Sequence, residues 1–222
     1  FEGVIRTKGE LYDYLRRQGN STIFIHQDNP YLTQIAWGLN PVTYGEEDNL
    51  YINGHVTGNS PYLTFEWKAG KAGERHEVQT QLIGDYNFPN ALAAITIGHF
   101  FGVEAAKIDR ALHEYEPRNN RSQLKKTADN TLIIDAYNAN PTSMLAAISN
   151  FHNMQAGGKM LILGDMRELG KDSPGEHQKI VDCLQEYGFK DVALVGELFA
   201  ATRHTYPTYP DAPALIAELQ KN

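Results

Sequence analysis

Hydrophobic and polar positions along the chain follow one pattern before residue 114 and another after residue 123. In the first stretch, residues 7–17 predict a short helix, because Leu11, Tyr14 and Leu15 recur at i, i+3 and i+4. Gly19 and Asn20 end it. Residues 22–26 read as a buried strand with a turn at Asp28-Asn-Pro30, and residues 30–37 as a further helix. Strands follow at 50–55, 62–67 and 76–82, joined by Gly-, Asn- and Lys-rich hairpin connections. Residues 90–101 predict a helix whose Ala91, Ala94, Ile95 and Gly98 permit close packing. Gly102 stops it, and residues 103–113 form another helix, packed through Ile108, Ala111 and Leu112.

Residues 114–123, with Pro117 and two adjacent Asn, read as a linker. Beyond them apolar runs alternate with amphipathic helices, the pattern of an α/β unit with parallel strands. The strand at 132–137 feeds a helix at 143–154, and the strand at 159–163 ends in Gly164-Asp-Met-Arg-Glu-Leu-Gly170. Ser173-Pro-Gly-Glu176 has the form of a capping box opening a helix to Tyr187, with Gly188 as its stop. A strand at 192–195, a helix at 197–203 and a last helix at 212–220 complete the series. A βαβ series that ends on a helix, in a chain opening on Phe1 rather than Met, leads us to expect a piece of a longer protein.

Candidate chemistry concentrates where strands end, because ligands of open α/β sheets collect outside the carboxyl ends of the strands. Leu132, Ile133 and Ile134 are expected to be buried and to deliver Asp135, Tyr137, Asn138 and Asn140 to such an end. A carboxylate there accepts hydrogen bonds from ribose hydroxyls, and each amide offers both a donor and an acceptor. Asn also suits turns and caps, which is the plainer account of the same residues. Asp165 and Glu168 follow the next strand in the same way, or serve a turn that caps the next helix. Asn87 and Asn90 stand at the start of a long helix, where free N–H groups and the dipole favour a nucleotide. Asn87 could equally be an ordinary N-cap with Asn90 merely exposed. Arg121, in the linker, could grip phosphate or ribose from a ligand held between two domains, or be an ordinary surface cation. Lys8 reads locally as a solvated charge or an i,i+4 partner.

The charge balance, net −7 with no basic stripe, argues against nucleic acid as a partner. The single Cys183 fits a reducing compartment and reads as core packing on a helix. No apolar run reaches membrane-spanning length, and the histidines lack the spacing of metal ligands. No Gly-x-x-x-x-Gly-Lys-Ser/Thr phosphate loop occurs in these residues.

Five segments together carry a resemblance: Lys8-Gly-Glu10, Asn87-Phe-Pro-Asn-Ala-Leu-Ala-Ala94, Asn119-Asn-Arg-Ser-Gln123, Asp135-Ala-Tyr-Asn-Ala-Asn-Pro141 and Gly164-Asp-Met-Arg-Glu-Leu-Gly170. In order and spacing the chain resembles the Mur ligases of peptidoglycan synthesis, in the branch that adds D-alanyl-D-alanine to UDP-N-acetylmuramoyl-tripeptide. The resemblance implies an α/β fold, with residues 1–117 as the later half of a central ATP-binding domain and residues 118–222 as an incomplete, Rossmann-like C-terminal domain. It implies a cytoplasmic, monomeric ATP-dependent ligase that works through an acyl phosphate, with ATP and magnesium as cofactors. Asn87 and Asn90 would contact adenine, Arg121 would reach ATP and Asp135 would bind the ribose, with Asn90, Arg121 and Asp135 gathered on one adenosine. Lys8 matches a lysine that is carbamylated to help hold magnesium. Tyr137, Asn138, Asn140, Asp165 and Glu168 fit the motifs as substrate-side candidates without a defined partner. Tyr86 departs from the His of many relatives and is given no role. This chain alone is expected not to turn over. The rival readings are a non-catalytic nucleotide- or protein-binding module, and a sister Mur or folylpolyglutamate-type ligase.

Overall fold

The computed structural model describes residues 2–118 and 120–221; Phe1, Asn119 and Asn222 lie outside the described residues. The chain folds as two compact units, Phe1–Pro117 and Arg118–Asn222.

The first unit opens with helix α1 (Glu2–Gln18), strand β1 (Phe24–His26), helix α2 (Pro30–Ile35) and strand β2 (Val42–Gly45). Strands β3 (Ile52–Asn59), β4 (Tyr62–Ala69) and β5 (His76–Ile83) follow, and helices α3 (Phe88–Phe100) and α4 (Ala105–Glu114) close the unit. The five strands form one sheet in the order β1-β2-β3-β4-β5, parallel over its first three members and antiparallel over the rest. Leu63, Phe65 and Trp67 alternate inward along β4 and pack with Ile52 and Val78 against Phe88, Ala91, Leu92 and Ile95 of α3. Each large apolar side chain buried this way stabilises the fold by about 1.5–3 kcal/mol.

Two features of this unit depart from the pattern in the sequence. Helix α1 begins at Glu2, and its inward stripe is Tyr12 and Leu15, packed on Ile23, Ile25 and Ala36, whereas Leu11 and Tyr14 are exposed. Strand β2 escaped detection because its four residues, preceded by Pro41 and ending on Gly45, are too few to display a period.

The second unit contains β6 (Gln123–Lys126), β7 (Thr131–Ile134), α5 (Pro141–Asn153), β8 (Met160–Gly164), α6 (Ser173–Glu186), β9 (Asp191–Val195), α7 (Glu197–Ala200), β10 (Thr208–Tyr209) and α8 (Ala212–Leu219). Strands β8, β9 and β10 form a parallel sheet in the order β10-β9-β8, with β9 central. Ile148 of α5, Ile180, Val181 and Leu184 of α6, Val192 and Leu194 of β9, and Phe199 enclose one core. Cys183 packs at its margin; burial first, then the Glu186 carboxylate, pushes its thiol pKa up.

Strand β7 does not join that sheet. It pairs with β6 as an antiparallel hairpin, Gln123 opposite Ile134, with Gln123 itself expected to be the last residue of a linker. Leu132 is consequently 43% exposed rather than buried, and Ile133 and Ile134 are half-buried. The turn at Thr127–Asn130, closed by Thr127 N–H donating to Asn130 O, makes the local pairing cheap in loop entropy. The capping box at Ser173 does not form either. A 3-10 turn at Gly170–Asp172 already runs helically into Ser173, so Ser173 lacks the extended backbone of a cap. Its buried hydroxyl lies 3.3 Å from His177 Nδ1, and Glu176 pairs with Lys179 at 2.6 Å.

Candidate functional site

The strongest site lies at the carboxyl end of β7. Asp135 is exposed, and its Oδ1 accepts weakly from the Ser122 backbone N–H at 3.4 Å. Ala136 N–H donates to Asn120 O at 2.8 Å, which ties the two segments together. Asn120 and Ser122 both hold positive φ, 56° and 49°, on either side of Arg121. Non-glycine residues in that region carry about 1–3 kcal/mol of strain and cluster at functional sites. The turn they make presents the Arg121 guanidinium over the Tyr137 ring, 3.9 Å from its centroid. A guanidinium stacked on an aromatic face is held without spending its N–H donors, which stay available to phosphate. Arg121, Asp135 and Tyr137 therefore form a ready donor–acceptor group on the surface of one unit. Asn138 is exposed beside them. Asn140 is not free, since its Oδ1 caps α5 by accepting from Ser143 N–H at 3.0 Å.

The loop after β8 behaves differently. Both carboxylate oxygens of Asp165 accept backbone N–H groups at the start of α7, from Leu198 at 3.0 Å and Phe199 at 2.9 Å. A β-carbon at Gly196 (φ 119°) would collide with this carboxylate, so glycine is required there. Asp165 thus serves a helix, though α7 rather than the helix that follows it in sequence. Glu168 is exposed and holds φ at 68°, with Arg167 exposed beside it.

In the first unit Asn90 is exposed at the start of α3, and its Nδ2 donates to Asn87 Oδ1 at 3.4 Å. Asn87 makes no side-chain cap; its own Nδ2 donates to Ile83 O at 2.9 Å. Asn87 therefore orients Asn90 and leaves the terminus of α3 without the side-chain cap that its position suggested. Lys8 is exposed on α1, one turn before Tyr12 and on the same face. Tyr12 also bears on Tyr44, whose phenol pKa is raised by burial first and then by Tyr12. Beside Tyr44, at the tips of β1 and β2, His26 stacks at 5.4 Å and lies 3.2 Å from the Asp28 carboxylate. Sequence reading passed over this pair as a plain turn, although Asp28 follows an apolar strand as Asp135 does. Among the described residues no group of three or more His, Cys, Asp and Glu gathers to hold a metal. Magnesium commonly takes one or two carboxylates with phosphates and water, and a carbamate on exposed Lys8 is a donor of that kind. Elsewhere in the unit a shallow groove is lined by Asp48, His55, Glu66, Lys68 and Arg75, among others. Its charges satisfy one another, with Asp48–Lys68 at 2.9 Å and Glu66–Arg75 at 3.3 Å.

Residues 1–98 match the family described as Mur ligase middle domain, and residues 120–220 the Mur ligase, glutamate ligase domain. The chain belongs to the Mur ligase family. A UDP-N-acetylmuramoyl-tripeptide--D-alanyl-D-alanine ligase of Bacillus subtilis is 34% identical over 172 residues, covering 76% of this chain and 36% of the relative. A crystal structure of MurF from Acinetobacter baumannii superposes with a TM-score of 0.80 at 25% identity, over 99% of this chain and 49% of that one. MurF from Thermotoga maritima, solved in complex with ADP, shares the fold at a TM-score of 0.75 and 17% identity, over 90% of this chain and 47% of that one. The chain thus spans about a third to a half of the length of these relatives. No helix among the described residues is long and apolar enough to cross a membrane.

Proposed function

We propose that this Mur ligase chain carries the middle and C-terminal parts of an ATP-dependent ligase. The enzyme joins D-alanyl-D-alanine to UDP-N-acetylmuramoyl-tripeptide through an acyl phosphate. The observation that carries this reading is the exposed Arg121–Asp135–Tyr137 group on a strained turn, in a chain whose relatives bear the name of that reaction. Asp135 accepts from a ribose hydroxyl, Arg121 donates to phosphate, and Asn90, steadied by Asn87, offers its amide to the adenine edge. Lys8, as a carbamate, would hold magnesium, whose chemistry is to offset the charge of the transferring phosphoryl group. Tyr137 keeps the guanidinium aimed, and Asn138 stands next to it as a substrate-side contact.

The absence of a phosphate loop from these residues predicts no turnover by the chain alone. The test is phosphate release by the complete reading frame that contains it. Release should require ATP, UDP-N-acetylmuramoyl-tripeptide and D-alanyl-D-alanine together. Release with glutamate or another single amino acid instead would assign a sister ligase. Nucleotide binding without release under any combination would leave a binding module and overturn the reading.

A further inference from the structure

His177 is fully buried in α6, where catalysis as read above makes no use of it. Its two ring nitrogens have distinct partners. Nε2 lies 3.0 Å from the Met166 backbone nitrogen, which can only donate, so Nε2 must carry a lone pair. Nδ1 lies 2.7 Å from the Ser173 carbonyl oxygen, which can only accept, so Nδ1 must carry the proton. The ring is therefore the neutral Nδ1–H tautomer. Phe199 closes over it edge-on at 4.7 Å, and the nearest carboxylate, Asp165 at 3.9 Å, is engaged by the α7 N–H groups. A proton on Nε2 would face the Met166 N–H donor to donor.

The group His177 holds is the first turn of the loop after β8. Asp165 N–H continues the sheet by donating to Val195 O at 3.0 Å, and the Met166 side chain is sunk in the core. With Met166 fixed from below by the imidazole, the chain turns outward through exposed Arg167 to Glu168 in its left-handed conformation. An exposed carboxylate on a rigid, strained turn at a strand tip suits an ammonium group, and the acceptor in the proposed reaction is an amine.

We infer that His177 is a positioning residue: as a neutral latch on the Met166 N–H, it sets Glu168 to receive the ammonium of the incoming dipeptide. The inference rests on the ligase reading for the identity of the amine, and on the geometry alone for the latch.

Two measurements on the complete protein test it. Imidazole 15N spectra should show Nδ1 protonated and Nε2 bare, with the Met166 amide coupled to it; an imidazolium or the opposite tautomer overturns the latch. In kinetics, His177→Leu should raise KM for D-alanyl-D-alanine about tenfold while KM for ATP stays unchanged. His177→Gln, which keeps an acceptor near the Nε2 position, should restore most of that loss. Glu168→Gln should raise the same KM, and its effect should not add to that of His177→Leu. Equal losses for both substrates, or no rescue by Gln, overturn the positioning role. If His177→Leu fails to fold, the Gln and Glu168 variants decide it: an unchanged dipeptide KM in Glu168→Gln overturns the inference. If no substrate combination releases phosphate, the ligase reading fails while the tautomer still tests the latch.

Discussion

Two loops of the second unit start from the same sequence signal, an apolar run ending in Asp, and put it to opposite uses. After β7, Asp135 stands exposed with one long contact to the Ser122 N–H, beside a guanidinium parked on Tyr137. After β8, Asp165 is spent on two backbone N–H groups and overhung by a buried imidazole. A carboxylate at a strand tip is therefore a ligand group only when the surrounding backbone leaves it unsatisfied. The strain follows the same division. In the first loop, positive φ at Asn120 and Ser122 surrounds the presented Arg121; in the second, it falls on Glu168 and not on Asp165.

The sharpest way to break this contrast is to exchange the fates of the two acids. Asp165→Ala leaves the N–H groups of Leu198 and Phe199 without their acceptor, and should cost about 2–3 kcal/mol in urea unfolding. Asp135→Ala should leave stability within about 0.5 kcal/mol, as surface substitutions do, yet weaken nucleotide binding by the complete protein about tenfold, or about 1.4 kcal/mol. Equal unfolding costs for the two variants would erase the distinction. A finer test lies inside the first loop, where Asn140→Ala should cost about 1 kcal/mol as a lost cap and Asn138→Ala nothing measurable. Calorimetry on the pair would show whether the two asparagines really divide into structural and presented.

The smallest effect concerns an acid with no such site. The Lys68 hydrogen bond first, and its charge second, hold the Asp48 carboxyl below its ordinary pKa. A depressed folded-state pKa adds stability that is complete above the unfolded value and disappears as pH falls through the folded one. Asp48→Asn should therefore remove a small increment of stability near neutrality, flatten the acid limb of the stability curve, and match the parent once pH falls below the folded-state pKa. Because Asp48 is exposed, salt should shrink even that difference.

Much of this arrangement is legible in the sequence. The 3.6-residue stripes located the helices, although that of α1 turned out to be rotated, with Tyr12 and Leu15 inward. The strand at 62–67 was visible as an extended segment, and the structure turns its Leu63, Phe65 and Trp67 inward. The Asp and Asn positions at strand tips were visible as candidates, because polar residues directly after apolar runs are local facts; Arg121 was visible only as a cation in the linker. Strands β2, β6 and β10 were not, since two to four residues show no period. Nor could any pattern tell that β7 would turn back on β6, because partner choice depends on loop closure and on which edge is free.

Residue order alone determined the break within residues 114–123, the presence of the longer helices and the family motifs, all of which follow from covalent spacing. Only the tertiary structure decided which polar groups remain available. Whether Asp165, Asn140 or His177 is free depends on the N–H and C=O groups that distant segments bring within about 3 Å, and sequence distance does not encode that.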